Sequence, residues 1–78
     1  MPGFEVGGYR LIVNTRDERG HRPHVHVVKG RGKVKILLDA DLTPYEAKSL
    51  TRPEIARARE LVGANFCRLR ALWEKYNG

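Results

Sequence analysis

Two alternating runs joined by a glycine-rich turn constrain the fold more than any other part of the sequence. Residues 24–29 read His-Val-His-Val-Val-Lys and residues 33–38 read Lys-Val-Lys-Ile-Leu-Leu, with Gly30-Arg31-Gly32 between them. Alternation with a period of two and a high content of β-branched residues are typical of strands. The two glycines are a turn signal. The segment therefore predicts an antiparallel β-hairpin.

The register of this hairpin decides which way its two histidines point. A loop of two or four residues places the valines of the first run beside Val34 and Ile36, and leaves His24 and His26 on the opposite face with two lysines. A loop of three residues shifts the pairing by one and moves every side chain to the other face. We favour the first register because it buries only apolar groups. It directs both imidazoles into solvent.

Two further segments of the first fifty residues carry structural signals. Residues 9–14 predict a first strand whose Tyr9, Leu11 and Val13 face the core, and residues 1–8 are expected to form a flexible leader. Residues 42–47 fit two interpretations. A capping-box pattern at residues 43–46 would open a short helix, whereas an edge strand would also tolerate Pro44.

The last third of the chain has the pattern of an amphipathic helix. The sequence Thr-Arg-Pro-Glu at residues 51–54 is a capping box with proline at an early helical position. Apolar residues then recur at spacings of three and four. We predict one helix over residues 52–76, about 37 Å long at 1.5 Å per residue. Gly63 lies inside this helix, and glycine is unfavourable in a helix interior, so a bend or break at Gly63 is an alternative to one continuous helix.

Together these elements predict a single α+β domain. Its sheet has three antiparallel strands at residues 9–14, 24–29 and 33–38, or four if residues 42–47 pair. The C-terminal helix covers one face of this sheet, which gives the order βββα or ββββα. A chain of 78 residues forms only a small core, so we expect a protein partner or a homo-oligomer.

Charge and cysteine content narrow the classes of function. The chain carries 15 lysines and arginines against 9 acidic residues, a formal net charge of +6. Such a charge attracts phosphate backbones, RNA above all, or an acidic protein partner. A single cysteine excludes a disulfide framework and a cysteine-based zinc site, and it suits the reducing cytoplasm. No apolar stretch is long enough to cross a membrane, and we expect neither a signal peptide nor a cofactor.

The paired histidines suggest acid–base chemistry on RNA. Histidine is the side chain best suited to proton transfer near neutral pH, so His24 and His26 could divide the base and acid roles in attack of a 2′-hydroxyl on a phosphodiester. Nearby cations could neutralise the phosphate. The candidate phosphate-binding residues are Arg10, Arg16, Arg31, Lys33 and Lys35.

Three other interpretations stay open. His24 and His26 could bind a metal ion together with His21, although a fourth ligand is not evident. They could also be structural residues that bond the backbone. In a non-enzymatic alternative, the protein is an interaction or regulatory module whose helix edge or sheet face binds a protein partner or nucleic acid without chemistry. The candidate partner-binding residues are Arg57, Leu61, Arg68 and Leu72.

The ordered set of these features resembles a known family. The block Pro-His-Val-His-Val at residues 23–27, the following strand at residues 33–39, and the pair Asn65 and Trp73 are similar to the prokaryotic domain-of-unknown-function family 4160. Arg22 stands where that family usually has a first proline. The resemblance implies a compact α+β domain and an extended segment at residues 42–47. It also implies a toxin–antitoxin-like context, in which such genes lie in small neighbouring pairs and the partner is encoded nearby.

Overall fold

The computed structural model describes residues 3–13 and 22–77, which form an antiparallel sheet and two helices. The chain is α+β as predicted, but within these residues the sheet has five strands in the order β1-β2-β3-β4-β5, and two helices follow. The prediction of three or four strands and a single helix is therefore wrong in these counts. The elements are β1 (Gly3–Val6), β2 (Tyr9–Ile12), β3 (His24–Lys29), β4 (Gly32–Leu37), β5 (Pro44–Lys48), α1 (Arg52–Ala64) and α2 (Phe66–Asn77).

The central hairpin, β3 and β4, has the register that the sequence favours. Val25 lies opposite Ile36, and Val27 lies opposite Val34, on the face that the core buries. The loop has two residues, since Lys29 pairs with Gly32. Its first residue, Gly30, has a φ of +57°, which is a conformation that glycine adopts without steric cost. The alternation of the two strands and the short loop therefore agree on one register.

The first strand occupies half of the segment that we expected to be a flexible leader, residues 1–8. Gly3–Val6 pairs antiparallel with β2, and the turn between them is Gly7-Gly8, both with positive φ. Phe4 and Val6 pack against the core. A pair of glycines between two alternating segments is a hairpin signal, so the prediction of a leader is wrong for these residues. Residues 1 and 2 lie outside the described part of the chain.

The segment after β4 is extended and not helical. The Asp39 carboxylate accepts hydrogen bonds from the backbone N–H groups of Asp41 and Leu42. The Arg59 guanidinium then donates to the carbonyl oxygens of Asp41 and Leu42 at 2.8 and 3.0 Å. These contacts turn the chain back along β4, so that β5 becomes an edge strand. The short-helix interpretation of residues 42–47 is therefore wrong.

The C-terminal helical segment begins as predicted but is broken at Asn65. Thr51 caps α1: its hydroxyl accepts from the Glu54 N–H, and its own N–H donates to the Glu54 carboxylate at 2.8 Å. At the other end, the Asn65 side-chain amide donates to the Leu61 carbonyl at 2.8 Å. The Leu69 N–H bonds to the Asn65 carbonyl oxygen, and α2 starts at once. The single helix predicted for residues 52–76 is therefore two.

The core lies between one face of the sheet and the two helices. The predicted inner residues of β2 are buried, as are the inner residues of the central hairpin. Neither α1 nor α2, which lie in the described part of the chain, is long and apolar enough to cross a bilayer. The buried apolar residues are Tyr9, Leu11, Val13, Val25, Val27, Val34, Ile36, Leu38, Ala58, Leu61, Val62, Leu69 and Trp73.

Candidate nucleic-acid interface

The face of the sheet opposite the core carries two rows of side chains that run across all five strands. The side chains of a row are neighbours because residues paired across adjacent strands share a face. The rows bring basic residues from four parts of the sequence together around apolar ones. The first row is Glu5, Arg10, Val28, Lys33 and Lys48; the second is Gly3, Ile12, His26, Lys35 and Tyr45.

His24 lies at the beginning of β3 and is only 5% exposed. Its Nδ1–H donates to the carbonyl oxygen of Arg22 at 2.9 Å, and its ring centroid lies 5.1 Å from that of Trp73 in α2. The expectation that its imidazole points into solvent is wrong. Strand alternation assigns a side chain to a face, but His24 is the first residue of its strand, and there α2 reaches its ring. His24 therefore joins the sheet to the helix.

His26 is the half-buried member of the pair. It lies opposite Ile12 on β2 and Lys35 on β4, so it occupies the centre of the second row. The centroids of the His24 and His26 rings are 5.1 Å apart, with a tilt of 60° between their planes. The structure thus brings the two histidines together, as predicted, but gives them different environments.

Lys35 forms an ion pair with Glu46 on β5 and lies over the ring of Tyr45 at 5.9 Å. The hydrogen bond and the positive charge of Lys35 lower the pKa of Glu46, and weaker contributions come from His24 and His26. Glu46 is therefore a carboxylate at neutral pH. It neutralises one of the predicted phosphate-binding lysines.

Lys33 and Lys48 lie opposite each other on β4 and β5. Lys48 was not among the predicted site residues, because the pairing of β5 with β4 is irregular and cannot be read from alternation. A cavity of about 640 Å³ opens beside the two lysines. Its walls are His26, Val28, Lys33, Val34, Lys35, Glu46, Ala47 and Lys48.

The remaining predicted phosphate-binding residues are spread out. Arg10 is exposed in the first row, opposite Glu5 and Val28. Arg31 is exposed in the turn between β3 and β4, away from the cavity walls. Arg16 lies outside the described residues. The structure therefore places Arg10, Lys33 and Lys35 on one face, and it adds Lys48 to them.

The four residues predicted to bind a partner do not form a continuous exposed edge. Leu61 is buried in the core, and Leu72 is half-buried against it. Arg57 forms an ion pair with Glu60 at 2.9 Å. The guanidinium carbon of Arg68 lies 3.8 Å from the centre of the Phe4 ring. The prediction did not include β1, whose Phe4 lies against Arg68 and whose turn at Gly7 lies close to Leu61. It is wrong for Leu61, which is buried.

A metal site at the histidine pair receives no support from the described residues. Within residues 3–13 and 22–77, no three histidine, cysteine, aspartate or glutamate side chains lie close enough together to hold an ion. His21, the third candidate ligand, lies outside these ranges. The described side chains that the site does offer include lysines, imidazoles and apolar groups.

Comparison with known protein families agrees with the resemblance noted in the sequence. No curated protein and no solved structure shows significant similarity to the chain. The model of the family described as "Domain of unknown function (DUF4160)" matches residues 8–74. This range takes in strands β2 to β5, α1 and most of α2, with every lysine of the open face. The chain therefore belongs to the DUF4160 family.

Proposed function

We propose that the protein binds nucleic acid, RNA above all, with the open face of its sheet. The observation that carries the proposal is the first row, in which Arg10, Lys33 and Lys48 flank Val28 across four adjacent strands. In the second row, Glu46 neutralises the charge of Lys35. This row therefore contributes mainly the rings of His26 and Tyr45 to the face.

The face combines the two kinds of contact that a single strand of nucleic acid requires. Lysine and arginine neutralise backbone phosphates and release their counterions. Aromatic and apolar side chains contact the faces of unpaired bases, which are accessible in single strands and in loops. Ile12, His26 and Tyr45 belong to the second row, which lies beside the first row with its three cations. A sheet face of this composition suits a single strand that lies across it.

The test is fluorescence anisotropy with labelled single-stranded RNA and DNA of matched sequence, at several salt concentrations. The Lys33→Gln/Lys48→Gln variant should bind about tenfold more weakly, with a salt slope smaller by about two. Arg52→Gln/Lys75→Gln is the matched control, because it removes the same charge from exposed positions on the helices. Equal losses in both variants, or binding that does not respond to salt, would contradict the proposal.

We also propose that the protein is the basic half of a toxin–antitoxin-like pair in the cytoplasm of a prokaryote. The net charge of +6 and the cationic sheet face favour an acidic partner that competes with nucleic acid for this face. Expression of the chain alone should slow growth, and co-expression of the protein encoded next to it should restore growth. Normal growth in both cultures would contradict this role.

Cleavage of the bound RNA is a second candidate. It is supported by the distance of 5.1 Å between the His24 and His26 rings, which suits an acid and a base that share one phosphate. The burial of His24 opposes it. Incubation of purified protein with total RNA, beside the His26→Ala variant, tests the idea. Equal background cleavage by the two proteins would exclude it and leave binding without chemistry.

A further inference from the structure

We propose that the cavity beside Lys33 and Lys48 is a site for a phosphate monoester. The inference rests on the proposed function in one respect: it takes this monoester to be the terminal phosphate of an RNA chain. The site would then hold the end of a strand, whereas the rest of the open face would contact the phosphodiesters that follow. Three features of the cavity support this assignment.

The first feature is the pairing of two like charges. Lys33 and Lys48 are direct cross-strand neighbours, and like charges in such positions repel each other and destabilise a sheet. Within the described residues, no carboxylate pairs with either lysine, whereas the neighbouring Lys35 is neutralised by Glu46. Two cross-strand lysines that have no carboxylate partner among the described residues are therefore available to an anion.

The second feature is a distortion of β5 that shapes the cavity. Between the pairs Lys33–Lys48 and Lys35–Tyr45, β5 has one residue more than β4, which is a β-bulge. Glu46 lies within it at a φ of +50°, a left-handed conformation that costs a residue with a side chain about 1–2 kcal/mol. Bulges at sheet edges often accompany binding sites. This bulge places Glu46, Ala47 and Lys48 on the cavity wall.

The third feature is the match of charge and size. A phosphate monoester carries a charge close to −2 at neutral pH, whereas a diester within the chain carries −1. Two lysines that repel each other are stabilised more by the dianionic monoester than by the single charge of a diester. The cavity volume of about 640 Å³ is large enough for a phosphate together with the sugar and base attached to it. His26 and Val28 line the cavity and offer contacts to that sugar and base.

The experiment compares RNA oligonucleotides of one sequence that carry a 5′-phosphate, a 3′-phosphate or hydroxyl groups at both ends. Inorganic phosphate and a nucleoside monophosphate serve as competitors, which separates a free phosphate from a strand end. The proteins are the wild type, Lys33→Gln/Lys48→Gln, and Arg10→Gln as a control on the same face but outside this cavity. Thermal unfolding by circular dichroism verifies that all three are folded.

We expect the wild type to bind one of the phosphorylated oligonucleotides about fivefold more tightly than the unphosphorylated one. Lys33→Gln/Lys48→Gln should lose this preference, and Arg10→Gln should keep it while binding all three more weakly. Equal, salt-sensitive binding of the three oligonucleotides would overturn the monoester site and leave the proposed function standing. Direct binding of inorganic phosphate or of the nucleoside monophosphate, measured by isothermal titration calorimetry, without any oligonucleotide binding would support the site and overturn the proposed function. No binding at all would overturn both.

Discussion

The imidazole of His24 lies against the indole of Trp73, with the ring centroids 5.1 Å apart. This contact joins the start of β3 to α2, and the hydrogen bond from His24 Nδ1 to the Arg22 carbonyl holds the imidazole in place. The neighbouring His26 faces the cationic side of the sheet. The sequence pattern assigns both histidines to one exposed face, but they have different roles. His24 is structural, and His26 lies at the candidate site.

We predict that His24→Ala and His26→Ala separate these roles. His24→Ala opens a void beside Trp73 and removes the donor to Arg22, so the free energy of unfolding should fall by about 2–3 kcal/mol. His26→Ala should lower it by less than about 1 kcal/mol but weaken RNA binding. Urea denaturation followed by circular dichroism, with anisotropy for binding, measures both effects. A stable His24→Ala variant would contradict the structural role.

We predict opposite effects on stability for alanine at two glycines. A Cβ at Gly32 would lie 2.5 Å from the Ser49 carbonyl oxygen, so Gly32→Ala should destabilise the protein by about 2–3 kcal/mol. At Gly63 the nearest atom is the end of the Leu42 side chain, at 3.2 Å. Leu42 can move aside, and Gly63→Ala should stabilise α1 by about 0.5–1 kcal/mol. Thermal unfolding midpoints that fall in both variants would contradict the second half of the prediction.

The sequence predicts the central hairpin well and the ends of the fold poorly, for physical reasons. Alternation and a short glycine turn determine the partners of Val25 and Val27, because any other register would expose them. The first strand has only four residues, and its one clear signal is the turn Gly7-Gly8. The break at Asn65 depends on a side-chain bond to the Leu61 carbonyl, which periodicity cannot reveal.

We predict that Glu54 contributes to stability only above acidic pH. The hydrogen bond from the Thr51 backbone N–H, followed by the bonds to Lys29 and the Thr51 hydroxyl, lowers the pKa of Glu54 below its usual value in the folded protein. A lowered pKa means that the folded state favours the carboxylate. The stabilisation is therefore complete above the ordinary pKa and is lost as the pH falls through the folded value.

Glu54→Gln is the control variant, since glutamine still accepts the capping hydrogen bond but does not titrate. Urea midpoints measured from pH 7 down to pH 3 should fall less in the variant than in the wild type. Parallel curves for the two proteins would show that Glu54 contributes no pH dependence. Other carboxylates, such as Glu46 beside Lys35, would account for whatever acid sensitivity the variant keeps.

The candidate site was only partly predictable. Arg10, Lys33 and Lys35 follow from strand alternation, and the structure places all three on the open face. Lys48 could not be found this way, because its position opposite Lys33 depends on the bulge at Glu46. The burial of His24 depends on contact with Trp73, nearly fifty residues later, and a local pattern carries no information about that contact.

The most direct test of the proposed interface is a titration of the isotope-labelled protein with single-stranded RNA, followed by two-dimensional ¹H–¹⁵N NMR. We predict that the resonances that move most belong to the two rows, above all Arg10, Ile12, His26, Lys33 and Lys48. Resonances of the exposed residues of α1 and α2 should move little. Shifts concentrated on the helices, or no shifts at low salt, would contradict binding through the open face of the sheet.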